Sequence, residues 1–293
     1  MQMELDITGA NTLLVTPFTS SGELDLESLA ALVESVLAGG VHGVIALGSA
    51  GEFFTLDDDE RLQVIARVVE IVRGRVPVTV GIGADSTARA AALGRHAQSM
   101  GADCVLALPP LYFDQSDRAQ LVHFTAIARS VELPVMLYDG AGGVVVSPAV
   151  IARVAASAPN VRYVKVATPE PERTAEIIEA APSVAPLAGD DTLLLAALRN
   201  GARGSATAIG NIKPGVIADL HAAHDAGNVH RSRVRYAELA PAVMAVSAPK
   251  VEFIARLKAV LHGTGVIKSE AVRSPLHGLS GQAREELLDV VGG

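Results

Sequence analysis

The sequence predicts an α/β fold, a (β/α)8 or TIM barrel followed by a C-terminal helical extension. Eight times in succession, a short apolar segment leads through a turn into a segment whose apolar residues recur at three- and four-residue spacings. This alternation is typical of a parallel sheet with helical crossovers, and eight repeats favour closure into a barrel. An open doubly wound sheet is the alternative, but no Gly-x-Gly-x-x-Gly fingerprint follows the first strand.

The first four units are defined by short apolar runs and by helical periodicity. The predicted strands lie at residues 11–15, 43–47, 77–82 and 104–108. The predicted helices lie at residues 25–38 and 57–72, from the loop at 83–86 to near Gly101, and at 117–131. A Gly-Gly pair ends the first helix and acidic residues open the second, which are usual boundary signals.

The remaining four units repeat the pattern. Strands are predicted at residues 134–138, within 160–169, at 184–188 and at 204–209, and helices at 148–156, 170–181, from a cap at 189–191 to Arg199, and after Pro214. The strand signals stop after His230. We therefore assign residues 1–228 to the barrel and 229–293 to two or three helices, broken near 263–265 and packed on the barrel's outside.

Composition narrows the class of protein. Hydrophobic residues make up 49% of the 293 residues, and the net charge of −8 argues against a nucleic-acid surface. The lone Cys104 lies in an apolar run and is predicted to be a buried structural thiol. No signal peptide is evident, and no apolar stretch approaches the roughly 18 residues that span a bilayer, so we expect a soluble cytoplasmic protein.

The most informative side chain is Lys165, which lies in the sixth predicted strand with apolar residues on both faces. One interpretation is a strand-end lysine that reaches water or a carboxylate. The other is chemical: apolar surroundings favour the neutral amine, which can attack a ketone to form a Schiff base. Tyr138 ends the neighbouring fifth strand, so its phenol should face the same barrel mouth and could transfer the protons.

Further candidates lie at strand ends and in the loops that follow them. Tyr112 follows two prolines after the fourth strand, and could equally be a surface aromatic. Asp190 is expected to be a helix N-cap rather than an acid catalyst. His221 and His224 lie three apart on a helix, but nothing completes a metal site, so we expect solvated histidines and no metal. The proposed substrate-binding residues are Ser49, Ala50, Gly189 and Ala206.

Several motifs resemble those of the dihydrodipicolinate synthase and N-acetylneuraminate lyase family of class I aldolases. Gly48-Ser49-Ala50-Gly51-Glu52 is similar to its Gly-Ser/Thr-Thr-Gly-Glu loop, Pro109-Pro110-Leu111-Tyr112 to its Pro-Pro-Tyr-Tyr segment, and Leu137-Tyr138-Asp139 to its Leu-Tyr-Asn. Val164-Lys165 resembles the strand-six lysine, and Gly189-Asp190-Asp191, Asn211, Lys250 and Arg273-Ser274-Pro275-Leu276 match later signatures. The resemblance covers nearly the whole chain, in order.

The resemblance implies a role for each catalytic candidate. Lys165 would form a Schiff base with pyruvate or another 2-oxo acid, with no cofactor beyond this imine, and Tyr138 would shuttle protons. Ser49 would replace the relay threonine, and Tyr112 would complete the relay, often from across a dimer interface. The family's second loop hydroxyl is missing at Ala50, so Ser49 and main-chain N–H groups would hold the carboxylate. A homotetramer built from dimers is implied.

Substrate choice depends on where the sequence departs from the family pattern. Synthases carry an arginine five residues after the strand-five tyrosine, where this chain has Gly143 in a loop without a cation. We therefore expect reversible aldol cleavage or condensation of a 2-keto (deoxy) sugar acid. The alternatives are 4-hydroxy-tetrahydrodipicolinate synthase, a keto-deoxy sugar-acid dehydratase and a non-catalytic paralogue that binds a 2-oxo acid. The sequence leaves the acceptor aldehyde and the reaction direction open.

Overall fold

A computed structural model describes residues 6–113 and 115–292, in which eight parallel strands close into a barrel in chain order. Each strand pairs with the next, and β8 returns to pair with β1. The strands are β1 (Gly9–Leu13), β2 (Gly43–Ala46), β3 (Val78–Gly81), β4 (Cys104–Ala107), β5 (Val135–Asp139), β6 (Val161–Val166), β7 (Ala185–Ala188) and β8 (Gly204–Thr207). The predicted barrel is confirmed.

Eight helices alternate with these strands and cover the barrel. They are α1 (Leu26–Ala38), α2 (Asp58–Val72), α3 (Thr87–Ser99), α4 (Asp117–Ala128), α5 (Pro148–Ser157), α6 (Arg173–Ala180), α7 (Leu194–Arg199) and α8 (Pro214–Asp225). Side-chain caps explain several starts: Asp57 and Glu60 form a capping box for α2, and Ser147 caps α5 ahead of Pro148. Cys104 is fully buried in β4, and burial raises the pKa of its thiol to about 12, so it is structural.

The first strand is displaced from its predicted position. It begins at Gly9, whose N–H donates to Arg203 O, and it ends at Leu13. Beyond it, the Val15 N–H donates to Asn211 Oδ1 instead of a neighbouring strand. The apolar run from which a strand was predicted at residues 11–15 therefore reflects burial, whereas pairing with β8 determines where the strand starts.

The C-terminal extension consists of α9 (Val229–Ser247), α10 (Phe253–Gly263) and α11 (Gly281–Gly292). The sequence predicts that this extension packs on the outside of the barrel, but the extension also reaches the loops that follow the strands. Tyr236 in α9 donates to the backbone oxygens of Asp191 and Thr192, and Lys258 in α10 forms an ion pair with Glu52. Within the described ranges, no helix is both long and apolar enough to cross a membrane.

Candidate active site

A cavity of about 510 Å³ opens where the barrel strands end, on the side where parallel barrels place reactive groups. We call it the barrel cavity. Its lining includes the loop after β2, the ends of β5 and β6, and the loop after β7. Of the predicted residues, it brings together Ser49, Ala50, Tyr138, Lys165 and Gly189. Residues distant in sequence therefore share one enclosed space.

Lys165 and Tyr138 lie side by side in this cavity. The parallel register of β5 and β6 pairs the two residues, and Lys165 Nζ lies 4.1 Å from the centroid of the Tyr138 ring. Lys165 is 2% exposed, and across residues 6–113 and 115–292 no carboxylate pairs with its ammonium. The strand-end interpretation, in which the lysine reaches water or an acid, does not fit this arrangement. The Lys165 nitrogen is therefore enclosed within the barrel and faces the Tyr138 ring.

The loop after β2 forms one edge of the cavity as a single 3-10 turn, Ser49–Gly51. The Gly51 N–H donates to Gly48 O, which leaves the earlier N–H groups of the turn without a partner inside it. Ala50 is buried, whereas Ser49 is half-buried and keeps its hydroxyl at the cavity. Such a group of N–H donors and a hydroxyl suits a carboxylate.

Glu52, which directly follows this turn, anchors it to the C-terminal extension. Glu52 adopts a left-handed backbone conformation with φ of 53° and is fully buried. Its carboxylate forms an ion pair with Lys258 and accepts the Arg273 N–H at 3.0 Å. Lys258 is itself fully buried and also donates to Ala271 O at 2.8 Å. The C-terminal extension thereby fixes the loop that carries Ser49.

Gly189 gives Lys165 the room it occupies. The Gly189 N–H donates to Val166 O at 2.7 Å, so the loop after β7 lies against the end of β6. A Cβ added at residue 189 would lie 2.8 Å from Lys165 Cγ, closer than ordinary contact allows. The sequence proposed Gly189 as a substrate-binding residue, which stays a prediction; Gly189 lines the cavity at a position where Val166 O and the Lys165 stem leave no room for a Cβ.

Two acidic residues follow Gly189 and have different partners. Asp190 is the N-cap of the next 3-10 turn, as its position predicts, and accepts the N–H and hydroxyl of Thr192. Asp191 is buried and accepts the N–H groups of Ala208 and Ile209, each at 3.2 Å. Burial raises the pKa of Asp191 to about 6. Sequence reasoning did not single out Asp191 as a cavity residue, since its N–H partners come from the segment that follows β8.

Two predicted site residues lie elsewhere. Tyr112 is 79% exposed at the tip of the loop after β4 and does not line the barrel cavity. Ala206 is fully buried within β8, and the cavity is instead lined by Thr207 and Ala208. Ala206 as a substrate-binding residue stays a prediction; β8 ends at Thr207, and the residues that line the cavity lie at and after this end.

His221 differs from expectation, whereas the strand-five loop has the open space that its glycines predict. His221 is buried rather than solvated: its Nε2 lies 2.8 Å from Ser205 Oγ, and burial lowers its pKa to about 3. In the part of the chain that the structure describes, no group of three His, Cys, Asp or Glu side chains could hold a metal. Gly140 and Gly142 line the cavity, whereas a Cβ added at Gly143 would meet no described atom within 4 Å.

The site combines a buried lysine without a carboxylate partner among the described residues, the adjacent Tyr138 ring and a 3-10 turn with N–H groups unused inside it, at the mouth of a (β/α)8 barrel. This is the arrangement of a class I aldolase, an enzyme that forms an imine between a lysine and its substrate. Comparisons with known proteins give the same class. The dihydrodipicolinate synthetase family model matches residues 6–292.

Relatives and solved structures agree over nearly the full length. The chain is 36% identical over 284 residues to the 4-hydroxy-tetrahydrodipicolinate synthase of Pseudomonas aeruginosa, covering 96% of each protein. The dihydrodipicolinate synthase of Thermotoga maritima superposes with a TM-score of 0.90 at 32% identity, over 97% of this chain and 98% of that one. The chloride-inhibited enzyme of Acinetobacter baumannii, complexed with pyruvate, gives 0.92 at 30% identity, over 98% and 99%.

The chain belongs to the dihydrodipicolinate synthetase family. It is a lyase of the class I, Schiff-base-forming type.

Proposed function

We propose that this lyase forms an imine between Lys165 and pyruvate, and that the resulting enamine adds to an aldehyde that carries a carboxylate. Synthesis of 4-hydroxy-tetrahydrodipicolinate from aspartate semialdehyde is the reaction that the relatives favour, since curated proteins of that name are up to 38% identical to this chain. The observation that carries the imine is the buried Lys165 amine, 4.1 Å from the centroid of the Tyr138 ring.

The chemistry needs an unprotonated amine and a group that moves protons. The Lys165 nitrogen attacks the 2-oxo carbon, and the carbinolamine loses water to give the imine. Loss of a methyl proton yields the enamine, whose carbon attacks the aldehyde; water then releases the product and restores the lysine. Tyr138, next to the amine, is the residue we assign to these proton transfers. The imine serves as the electron sink, so the proposal includes no cofactor and no metal.

The 2-oxo acid carboxylate is assigned to the turn after β2. Ser49 supplies a hydroxyl and the start of the turn supplies N–H groups, while Ala50 supplies no side-chain donor. These groups would orient the ketone toward Lys165 Nζ.

Tyr112 is assigned to the proton relay of a second copy of the chain. Its ring is exposed and packs edge-on against the exposed Phe113 ring, with centroids 4.6 Å apart. Two large aromatics at one loop tip favour an interface, and we propose a dimer across this loop, two of which form a tetramer. A cytoplasmic location accords with this biosynthetic role.

A second candidate is reversible aldol chemistry on a 2-keto (deoxy) sugar acid. The observation that favours it is the loop after β5: residues 140–146 hold no cation, and Gly143 leaves open space where synthases have an arginine. A sugar-acid dehydratase would use the same imine, and a binding paralogue would use none of this chemistry.

Borohydride trapping tests the proposed imine. The protein is incubated with pyruvate, reduced with borohydride and examined by mass spectrometry, and we expect one reduced adduct on Lys165. The Lys165→Ala variant should give no adduct, whereas Lys268→Ala, which removes an exposed lysine paired with Glu27, should give the normal amount. No adduct with pyruvate or several other 2-oxo acids would show that the imine mechanism is wrong.

An aldehyde panel then separates the acceptors. Turnover of pyruvate with aspartate semialdehyde identifies the synthase. Turnover only with sugar aldehydes identifies the sugar-acid aldolase, and loss of water from a keto-deoxy sugar acid without carbon–carbon cleavage identifies the dehydratase. An adduct without any turnover would support the binding paralogue.

A further inference from the structure

Lys250 extends the barrel cavity from an unexpected direction. It belongs to the segment 247–253, which joins α9 to α10 and places Ser247, Lys250 and Phe253 in the cavity lining. We call this segment the C-terminal lip. The family resemblance gave Lys250 no role, and the sequence placed the whole extension outside the barrel. The cavity is therefore bounded by the C-terminal extension as well as by barrel loops.

Charge in the cavity singles out Lys250 as an anion-binding group. Among the described residues that line the cavity, the cationic side chains are Lys165 and Lys250. Lys165 is committed to the imine under the proposed function. The Lys250 ammonium forms no hydrogen bond or ion pair with any of residues 6–113 and 115–292, so it is available to a ligand.

The two carboxylates in the same lining do not neutralise it. Asp190 accepts from the N–H and hydroxyl of Thr192, and Asp191 accepts from two backbone N–H groups of the β8 loop. Within residues 6–113 and 115–292, neither carboxylate forms an ion pair with the Lys250 ammonium. A carboxylate that enters the cavity beyond Lys165 would find its cationic partner at the lip.

The lip is anchored on both sides, so the cation is held at the cavity mouth. Arg256 in α10 bonds Glu252 through Nε and Nη2, at 3.0 and 2.7 Å, and its Nη1 donates to Ala245 O in α9 at 3.1 Å. The Arg256 guanidinium therefore links Glu252, within the C-terminal lip, to Ala245, just before it. The Arg256 and Glu252 side chains are 15% and 21% exposed, which protects the pair from solvent.

We propose that Lys250 binds the distal carboxylate of the acceptor aldehyde. The proposal rests on the proposed imine chemistry. It accounts for an acidic acceptor in a chain whose strand-five loop has no cation: the positive charge comes from the C-terminal lip instead. An ammonium is a single point charge, so it binds a carboxylate without the two-point geometry of an arginine.

The test compares two aldehydes of equal length that differ in charge, succinate semialdehyde and butanal, each with pyruvate. In the wild type we expect the charged aldehyde to have the higher kcat/KM. Lys250→Met should raise KM for succinate semialdehyde and for aspartate semialdehyde about tenfold, the effect of losing one charge-assisted contact. The same variant should leave butanal, KM for pyruvate and the rate of borohydride trapping unchanged, and Lys250→Arg should restore the preference.

Lys268→Met, which removes an exposed lysine outside the cavity, is the matched control and should behave as the wild type. Absence of any trapped adduct on Lys165 would mean that the imine chemistry itself fails. Three outcomes, each with normal trapping, would refute the role of Lys250 but leave the imine chemistry standing. The wild type uses the two aldehydes equally, it turns over neither of them, or Lys250→Met keeps the wild-type preference for the charged aldehyde.

Discussion

Replacing Gly189 with alanine tests whether the end of β7 must leave space for the Lys165 stem. The added Cβ would lie 2.8 Å from Lys165 Cγ and 2.7 Å from Val166 O, against the 3.4 Å at which ordinary contact begins. The backbone oxygen cannot move far, because it accepts the Gly189 N–H at 2.7 Å. The backbone at residue 189 or the lysine stem must therefore move, and the stem alone would need a shift of about 0.6 Å to restore ordinary contact with the new Cβ.

A shift of this size should be visible in both chemistry and stability. A misplacement of about 1 Å in a reacting group can slow a reaction about 100-fold. We therefore expect the trapping of pyruvate on Lys165 to slow by about 10- to 100-fold. Overpacking should lower the free energy of unfolding by about 1–3 kcal/mol. The assays are the rate of borohydride-dependent adduct formation, followed by mass spectrometry, and urea unfolding.

Gly215→Ala is the matched control. A Cβ at residue 215 in α8 would meet only ordinary contact, at 3.9 Å from Gly39 O, so trapping should stay normal. If Gly189→Ala traps pyruvate at the wild-type rate and unfolds at the wild-type urea concentration, then Gly189 does not provide the clearance that we infer.

Three further predictions concern other parts of the site. Tyr138→Phe should slow imine formation about 100-fold while KM for pyruvate stays nearly constant, because the proposed proton carrier is lost and the turn assigned to the carboxylate is kept. Stopped-flow or quenched trapping measures this rate, and an unchanged rate would exclude the phenol. Asp191→Asn should raise the free energy of unfolding at pH 7.5 by up to about 3 kcal/mol. Burial raises the Asp191 pKa from 3.8 to about 6, so the native state binds more protons than the unfolded state between these values and loses stability as pH rises through them. In urea titrations from pH 4 to 7, the free energy of unfolding of the variant should fall less steeply with pH than that of the wild type. Some pH dependence should remain, because burial also raises the pKa of Asp139 to about 6. A pH dependence equal to that of the wild type would contradict this. Lys258→Met should lower the free energy of unfolding by about 3–5 kcal/mol because it leaves the Glu52 carboxylate buried and unpaired. Adding Glu52→Gln should recover part of the loss, and a double variant as unstable as the sum of the two single ones would argue against a coupled pair.

The sequence was most informative where structure is governed by local periodicity. Apolar alternation and 3.6-residue spacing identified all eight strand–helix units, with boundaries correct to within a few residues. Because parallel strands in a barrel end on one face, the chain order also placed Tyr138 and Lys165 at the same mouth. Their direct pairing in the β5–β6 register agrees with that inference.

The residues that shape the cavity required the tertiary structure, because their positions depend on contacts between distant segments. The Arg273 N–H reaches the Glu52 carboxylate from 221 residues away, and no local pattern predicts such a contact. The same holds for Lys250 and the C-terminal lip, which sequence periodicity places on an outer helix pair. Whether β8 presents Ala206 or Ala208 to the cavity depends on where the strand ends, which closure against β1 determines.

By itself, then, the sequence determined a (β/α)8 barrel with a buried lysine and a neighbouring tyrosine, since strand alternation and helix periodicity are properties of short segments. The tertiary structure decided how much room that lysine has, which wall of the cavity carries a second cation, and that Tyr112 lies outside the cavity of its own chain. These depend on packing between segments far apart in sequence, for which spacing along the chain contains no signal.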